Sequence, residues 1–245
     1  MGAGIEKNEG KSADNEEREL SERVRDIISG ITPEDDCLAQ TEKFVKAVLN
    51  PDSGRYDMLY RYEHTLRVTA IGQRIAQREG LPEVPLMMAC LLHDVGYPEC
   101  RDFADLKNHP AISAMIAGQY LERIRFAPDM SASICKGVLY HDRVKELPEG
   151  LTPFELSVRD ADDIDRFDMM RLCVLGHGDT GERSAEEICE ICRGRLQWNE
   201  DARDRVCGTE TARELWMEKL EMHRTIYEGL LHQMEETGRM RQYFM

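Results

Sequence analysis

Apolar residues in this chain recur every three to four positions in nearly every segment, and the period-two alternation of half-buried strands is hard to find. The last segment shows this spacing most clearly, in steps of four and three. It carries Trp216, Leu220, His223, Tyr227, Leu230 and Met234. Because such a spacing places side chains on one face of a helix, the sequence predicts an all-α fold.

The chain of 245 residues is 41% apolar, which is enough to build a proper core. We predict a disordered, acidic tail over 1–17 and a single all-helical domain over 18–245. A first helix is expected from about Leu20 to Ile31. A second helix is expected to begin in the segment Thr32-Pro33-Glu34-Asp35 and to end at Asn50-Pro51. Glycine and proline predict further boundaries at 80–82, 96–98, 128, 148–153 and 176–181.

The charge balance argues against several classes of partner. Lys and Arg number 32 against 47 Asp and Glu, a formal net charge of −15, which opposes stable binding to nucleic acid or to anionic lipid. The chain has no apolar run of about 18 residues and no basic-then-apolar start, so we expect neither a membrane span nor a secretory signal, and we predict a cytoplasmic protein.

Eight cysteines are too few for a secreted disulfide scaffold and fit a reducing compartment. Cys189 and Cys192 form a CxxC pair within a helical pattern, with no second pair nearby. We expect these two thiols to line the core face of a helix rather than to bind zinc or to act in redox chemistry.

Polar residues interrupt the apolar stripes at a few positions. The doublet His93-Asp94 follows the apolar run 86–92. Apart from the doublet, four helical stripes each carry one titratable group on the buried side. The groups outside the doublet are His64, His109, His141 and Asp162. Burying so many titratable groups without partners is costly, and a shared divalent cation would satisfy imidazole nitrogens and carboxylate oxygens together.

The residues after the doublet predict that a helix ends there. Gly96 is suited to a left-handed position at a helix end, and Pro98 blocks continuation of the helix. We therefore expect the doublet at a helix terminus. A metal bound there keeps coordination positions for water and substrate, as a catalytic site requires.

The order His64, His93-Asp94 and Asp162, with the last aspartate in the string RDADDID, resembles the HD superfamily of metal-dependent phosphohydrolases. The resemblance covers about 56–170 and implies an HD-like helical bundle with additional N- and C-terminal helices. It also implies that these four residues bind a first metal ion. His109 and His141 match positions that in some members complete a second metal site and in others contact the phosphate.

The mechanism implied is attack by metal-activated water on a small phosphorylated molecule, with a nucleotide as the leading candidate. One or two divalent ions per chain are expected, and Mn, Fe, Co, Ni, Zn and Mg remain open. Asp94, Lys107 and Arg143 are predicted catalytic residues. The predicted substrate contacts are Lys107, His109, His141, Arg143 and Arg166. Asp142 and Asp165 are candidates to orient the ligand imidazoles.

Two other functions are compatible with the same residues. HD-fold proteins include di-iron oxygenases with equivalent ligands, and the metal could instead be structural in a non-catalytic sensor. The helical seam over 209–236 leaves open a homodimer, although such a seam more often packs on its own domain.

Overall fold

The computed structural model describes residues 19–142, 147–170, 172 and 183–245. These residues form ten α-helices joined by turns and short 3₁₀ segments, and they contain no β-strand. The helices are α1 (Glu22–Ser29), α2 (Cys37–Leu49), α3 (Tyr56–Glu79), α4 (Glu83–Leu92), α5 (Phe103–Lys107), α6 (His109–Arg123), α7 (Pro128–Leu139), α8 (Pro153–Arg166), α9 (Ala185–Asp201) and α10 (Glu210–Tyr243). The predicted all-α fold class is confirmed.

The start of the second helix differs from the sequence prediction. Helix α2 begins at Cys37, after Asp36, whose side chain accepts a hydrogen bond from the amide of Ala39. The buried Gln40 accounts for the later start, because its side chain donates to the carbonyl of Thr32 (2.6 Å) and accepts from the amide of Glu34 (3.2 Å). The 32–35 segment is thereby held outside the helix as an irregular connection.

Helices α3, α4, α6, α7 and α8 form the central bundle, in which α3 packs against α4 and α8, and α7 packs against α4, α6 and α8. The apolar stripe of α3, on which His64 stands, is buried along its length, from Tyr60 through Val68 to Ile75. Helix α1 and helix α2 cover one side of this bundle. The central helices also carry the titratable groups singled out by the sequence.

Gly96 has a role other than the one predicted. Its φ of −79° lies in the right-handed region, so the expected left-handed helix end is wrong. Gly96 is instead in close contact with α6, because a Cβ atom there would lie 2.6 Å from the amide nitrogen of Ser113. Its own amide donates to the Ser113 hydroxyl oxygen (2.9 Å). Helix α4 nevertheless ends at the doublet, as predicted, with His93 as its C-terminal cap.

Helices α9 and α10 pack on each other, and α10 also contacts α3 and α8. The carboxylate of Glu79 accepts from the amide of Thr211 (2.6 Å), and the Trp216 indole donates to the carbonyl of Ala202 (3.0 Å). On α9, Cys189 and Cys192 are buried free thiols, as expected for a core face. The predicted tail over 1–17 and the boundary at 176–181 lie outside the described residues.

None of the helices in the described part of the chain combines the length and the apolar character that a membrane-spanning helix needs.

Candidate metal centre

Six side chains from five segments meet inside the central bundle. His64 comes from the middle of α3, the doublet from the end of α4 and Asp162 from α8. His109 opens α6, and His141 follows the end of α7. The six side chains, His64, His93, Asp94, His109, His141 and Asp162, are at most 2% exposed. The structure therefore brings together every residue for which a metal-binding role was predicted.

Asp94 divides the cluster into two groups, one at each carboxylate oxygen. In the first group, Asp94 Oδ2 lies 3.3 Å from Nε2 of His93 and 3.7 Å from Nε2 of His64. Oδ1 of Asp162 completes this group at 3.1 Å from Nε2 of His64. In the second group, Asp94 Oδ1 lies 3.2 Å from Nε2 of His109 and 3.5 Å from Nε2 of His141.

The hydrogen bonds of the Nδ1 atoms indicate which nitrogen of each imidazole carries the proton. In His93, His109 and His141, Nδ1 lies 2.6–2.7 Å from the backbone carbonyl three residues earlier. In His64, Nδ1 lies 2.7 Å from Oδ2 of Asp165. Because carbonyl and carboxylate oxygens only accept hydrogen bonds, Nδ1 carries the proton in each ring. The lone pair of each neutral ring is then on Nε2, which faces the centre of the cluster.

This arrangement fits a divalent cation. Oδ1 of Asp94 and both carboxylate oxygens of Asp162 are buried and have no hydrogen-bond partner among the described residues, although Oδ2 of Asp162 has an ion-pair contact with Arg166. Two atoms that bind one cation at about 2.1 Å lie about 3.0–3.4 Å apart at tetrahedral or octahedral angles. The observed separations within the two groups are 3.1–3.8 Å. Lone pairs that face one another at these distances can hold a metal ion.

The charges of the cluster are set by its neighbours. Burial by itself raises the pKa of Asp94, but Arg61 and the surrounding histidines outweigh burial and hold this pKa well below its ordinary range. Burial also raises the pKa of Asp162, but Arg166, together with His64 and His93, outweighs burial and lowers this pKa. Burial lowers the pKa of His64, and its bonds to carboxylates outweigh burial and raise it. A metal ion would take the place of the proton that these carboxylates favour on His64.

Sequence reasoning missed two residues beside the doublet. Arg61 donates to Oδ2 of Asp94 at 2.6 Å, and its guanidinium lies 3.6 Å from the ring centroid of Tyr97. The Tyr97 ring in turn packs against His109, at 4.9 Å between centroids. The helical stripe contained a usable signal for Arg61, because it stands one turn before His64 on α3. Nothing comparable marked Tyr97, which reaches the site through the turn after α4.

The predicted supporting aspartates behave differently from each other. Asp165 bonds to His64 as expected. Asp142 does not orient His109, because its carboxylate is 4.0 Å from Nδ1 of His109 while that nitrogen bonds to the carbonyl of Leu106 at 2.7 Å. Asp142 instead pairs with Arg166 at 2.6 Å.

Among the predicted phosphate-binding cations, Arg166 reaches the cluster directly, since its guanidinium also lies 3.2 Å from Oδ2 of Asp162. Lys107 is exposed at the end of α5, two residues before His109. Arg143 lies outside the described residues. The guanidinium groups in contact with the carboxylates of the cluster thus include one that was predicted, Arg166, and one that was missed, Arg61.

Comparison with known proteins agrees with this geometry. Residues 61–170 match the model of the HD domain family. No curated protein and no solved structure shows significant similarity to the chain. The matched segment extends from α3 to the end of α8 and contains all six side chains of the cluster.

Proposed function

Residues 61–170 of this chain form an HD domain, and from that premise we propose that the protein hydrolyses a phosphate ester or anhydride of a small molecule, with nucleotides as first candidates. The HD domain is typical of metal-dependent phosphohydrolases. The observation that carries the proposal is Asp94, whose two buried oxygens each face a separate group of imidazole lone pairs. Such a carboxylate can bridge two metal positions or bind one ion and leave its second oxygen to a ligand.

The first metal would be held by His64, His93, Asp94 and Asp162. A bound divalent cation lowers the pKa of coordinated water and polarises a phosphoryl oxygen. The buried walls of α3, α4 and α8 fix the imidazoles and carboxylates and keep bulk water away from them. His109 and His141 would either hold a second ion or contact the phosphate.

Arg61 and Arg166 are the cations that we assign to the phosphate. Both guanidinium groups lie against carboxylates of the cluster, and the Nε–H group of each is buried without an acceptor among the described residues. Tyr97 holds Arg61 in place by stacking on its guanidinium. A phosphate between the two arginines could accept from these donors, and this charge-assisted contact favours an anionic substrate in a chain of net charge −15.

The test has two steps. First, the metal content of protein purified without chelator or nickel affinity is measured by mass spectrometry, as moles per chain. Second, the loaded protein is assayed on a nitrophenyl phosphate, a bis-nitrophenyl phosphate and nucleoside mono- and triphosphates. We expect hydrolysis that needs the metal and is lost in Asp162→Asn. Asp168→Asn is the matched control, because Asp168 pairs with Lys219 outside the cluster (2.9 Å).

Each result has a defined meaning. A metal-loaded protein that hydrolyses none of these substrates would reject the phosphohydrolase. Two iron ions per chain together with oxygen consumption would favour the oxygenase, for which the second imidazole group at Oδ1 of Asp94 supplies the additional ligands. Metal that is retained without either reaction would favour a sensor.

A further inference from the structure

The four imidazoles of the cluster are not held in the same way. The Nδ1 atoms of His93, His109 and His141 bond to neutral backbone carbonyls. Among these four rings, only that of His64 bonds through Nδ1 to a carboxylate, that of Asp165. A carboxylate fixes the ring orientation and makes the imidazole a more basic ligand than a neutral carbonyl does. His64 is therefore the ligand whose strength depends on a side chain outside the cluster.

Asp165 itself has a charged partner. Arg67 lies one turn after His64 on α3, and its Nε and Nη2 donate to the two oxygens of Asp165 at 2.8 and 3.3 Å. This two-point contact sets the plane of a carboxylate that is buried on α8. The plane of the carboxylate decides the direction in which the Nδ1–H group of His64 points.

We propose that Arg67 is a positioning residue for the metal centre, which acts through Asp165 to hold His64 in its ligand orientation. The inference rests on the metal site of the proposed function and adds a residue that is not itself a ligand. Arg67 links α3 to α8, the helix that carries Asp162, so one ion pair fixes two of the ligands of the first group. About a third of its side chain is exposed, at 32%, whereas the ligands are enclosed.

The experiment measures metal affinity rather than catalysis. Full-length protein is stripped of metal, and Zn²⁺ and Mn²⁺ binding are measured by competition with a chelating dye for the wild type, Arg67→Gln, Arg67→Lys and Arg78→Gln. Arg78 is the matched control, because it is on the same helix and pairs with the carboxylate of Glu214 far along the chain. Melting temperatures of the metal-free proteins are recorded alongside.

We expect Arg67→Gln to weaken binding of the first metal by about tenfold or more, the size typical of changes around a ligand histidine. Arg67→Lys should recover part of the loss, since lysine keeps the charge but not the two-point geometry. Arg78→Gln should bind metal like the wild type. The melting temperatures of the metal-free Arg67→Gln and Arg78→Gln proteins should be similar.

Equal affinity in Arg67→Gln and Arg78→Gln would overturn the inference while leaving the proposed function intact. A loss of affinity that lysine does not recover, together with a lower melting temperature of the metal-free protein, would assign Arg67 a merely structural role. A wild-type protein that binds neither ion would overturn the inference and the proposed metal centre together.

Discussion

Two regions of this molecule bury histidines on helical apolar stripes, and they do so in opposite ways. At the candidate metal centre, His64 uses Nδ1 for its hydrogen bond and directs Nε2 towards carboxylates and a second imidazole. In the C-terminal region, His223 on α10 uses Nε2 to donate to the carbonyl of Phe167 (3.0 Å). Its ring packs among the aromatic side chains of Phe167 and Tyr227.

The comparison separates a candidate ligand histidine from an ordinary core histidine. Both residues lie on helical stripes of apolar side chains, so periodicity alone does not distinguish them. The two surroundings differ in whether their buried polar atoms have hydrogen-bond partners. Nε2 of His223 donates to one backbone carbonyl, whereas the cluster around His64 contains buried carboxylate oxygens that have no hydrogen-bond partner among the described residues.

The largest expected effect is that of Asp94→Asn, which removes the charge shared by both groups of the cluster. We expect loss of metal retention and a fall in kcat/KM of about a thousandfold or more, since metal polarisation supplies several kcal/mol. The helical circular dichroism signal should be nearly unchanged. Metal analysis and hydrolysis assays on the same preparation check this. Activity close to that of the wild type would remove Asp94 from the mechanism.

The next largest effect is expected from the substitution of one histidine in each region. His64→Ala should weaken metal binding by at least about 100-fold, because changes to residues that merely support a ligand already cost 10–100-fold. His223→Ala should leave metal affinity unchanged and lower the free energy of unfolding by about 1–3 kcal/mol, the cost of leaving the Phe167 carbonyl without its donor.

Dye competition and urea unfolding measure these two quantities in both variants. The contrast between the regions would fail if the two variants lost metal affinity to the same extent.

The smallest expected effect is a pH dependence that belongs to His223. Burial, with a contribution from Arg195, lowers the pKa of His223, and the Phe167 carbonyl and Asp168 oppose this shift without cancelling it. The unfolded chain therefore binds the proton more tightly than the folded protein does. The stability contribution of neutral His223 is complete above its ordinary pKa of about 6.5 and is lost as pH falls through the lower folded pKa.

His223→Gln keeps an N–H donor but does not titrate. We expect the advantage of the wild type over this variant in urea unfolding to shrink between pH 7.5 and pH 5. An advantage that is constant over this range would contradict the lowered pKa of His223.

The sequence was sufficient for features that depend on local periodicity. The stripes placed His64, His109 and Asp162 on buried faces, and the apolar run before the doublet placed Asp94 at a helix end. These predictions succeed because burial of an apolar face orients every residue on it, polar ones included.

The parts that could not be predicted depend on contacts between distant segments. Gly96 is fixed by the close approach of α6 rather than by a local helix signal, and the start of α2 is set by the Gln40 side chain, which bonds back to the irregular 32–35 segment. Tyr97 and Arg61 meet only after α3 and α4 have packed. No spacing in the sequence predicts these contacts, because they depend on how distant segments pack together.

The carbonyls that accept from Nδ1 of His93, His109 and His141 belong to the last turns of α4, α5 and α7. Carbonyls at these positions have no partner within their own helix, and they carry the negative end of the helix dipole. Three histidines therefore occupy the carboxyl ends of three helices. The dipoles of α4 and α7 point their negative ends at the cluster, while α6, which begins at His109, points its positive end there, so the helix dipoles oppose one another. What the backbone contributes is orientation, because each of these carbonyls holds one ring with its Nε2 directed at the centre.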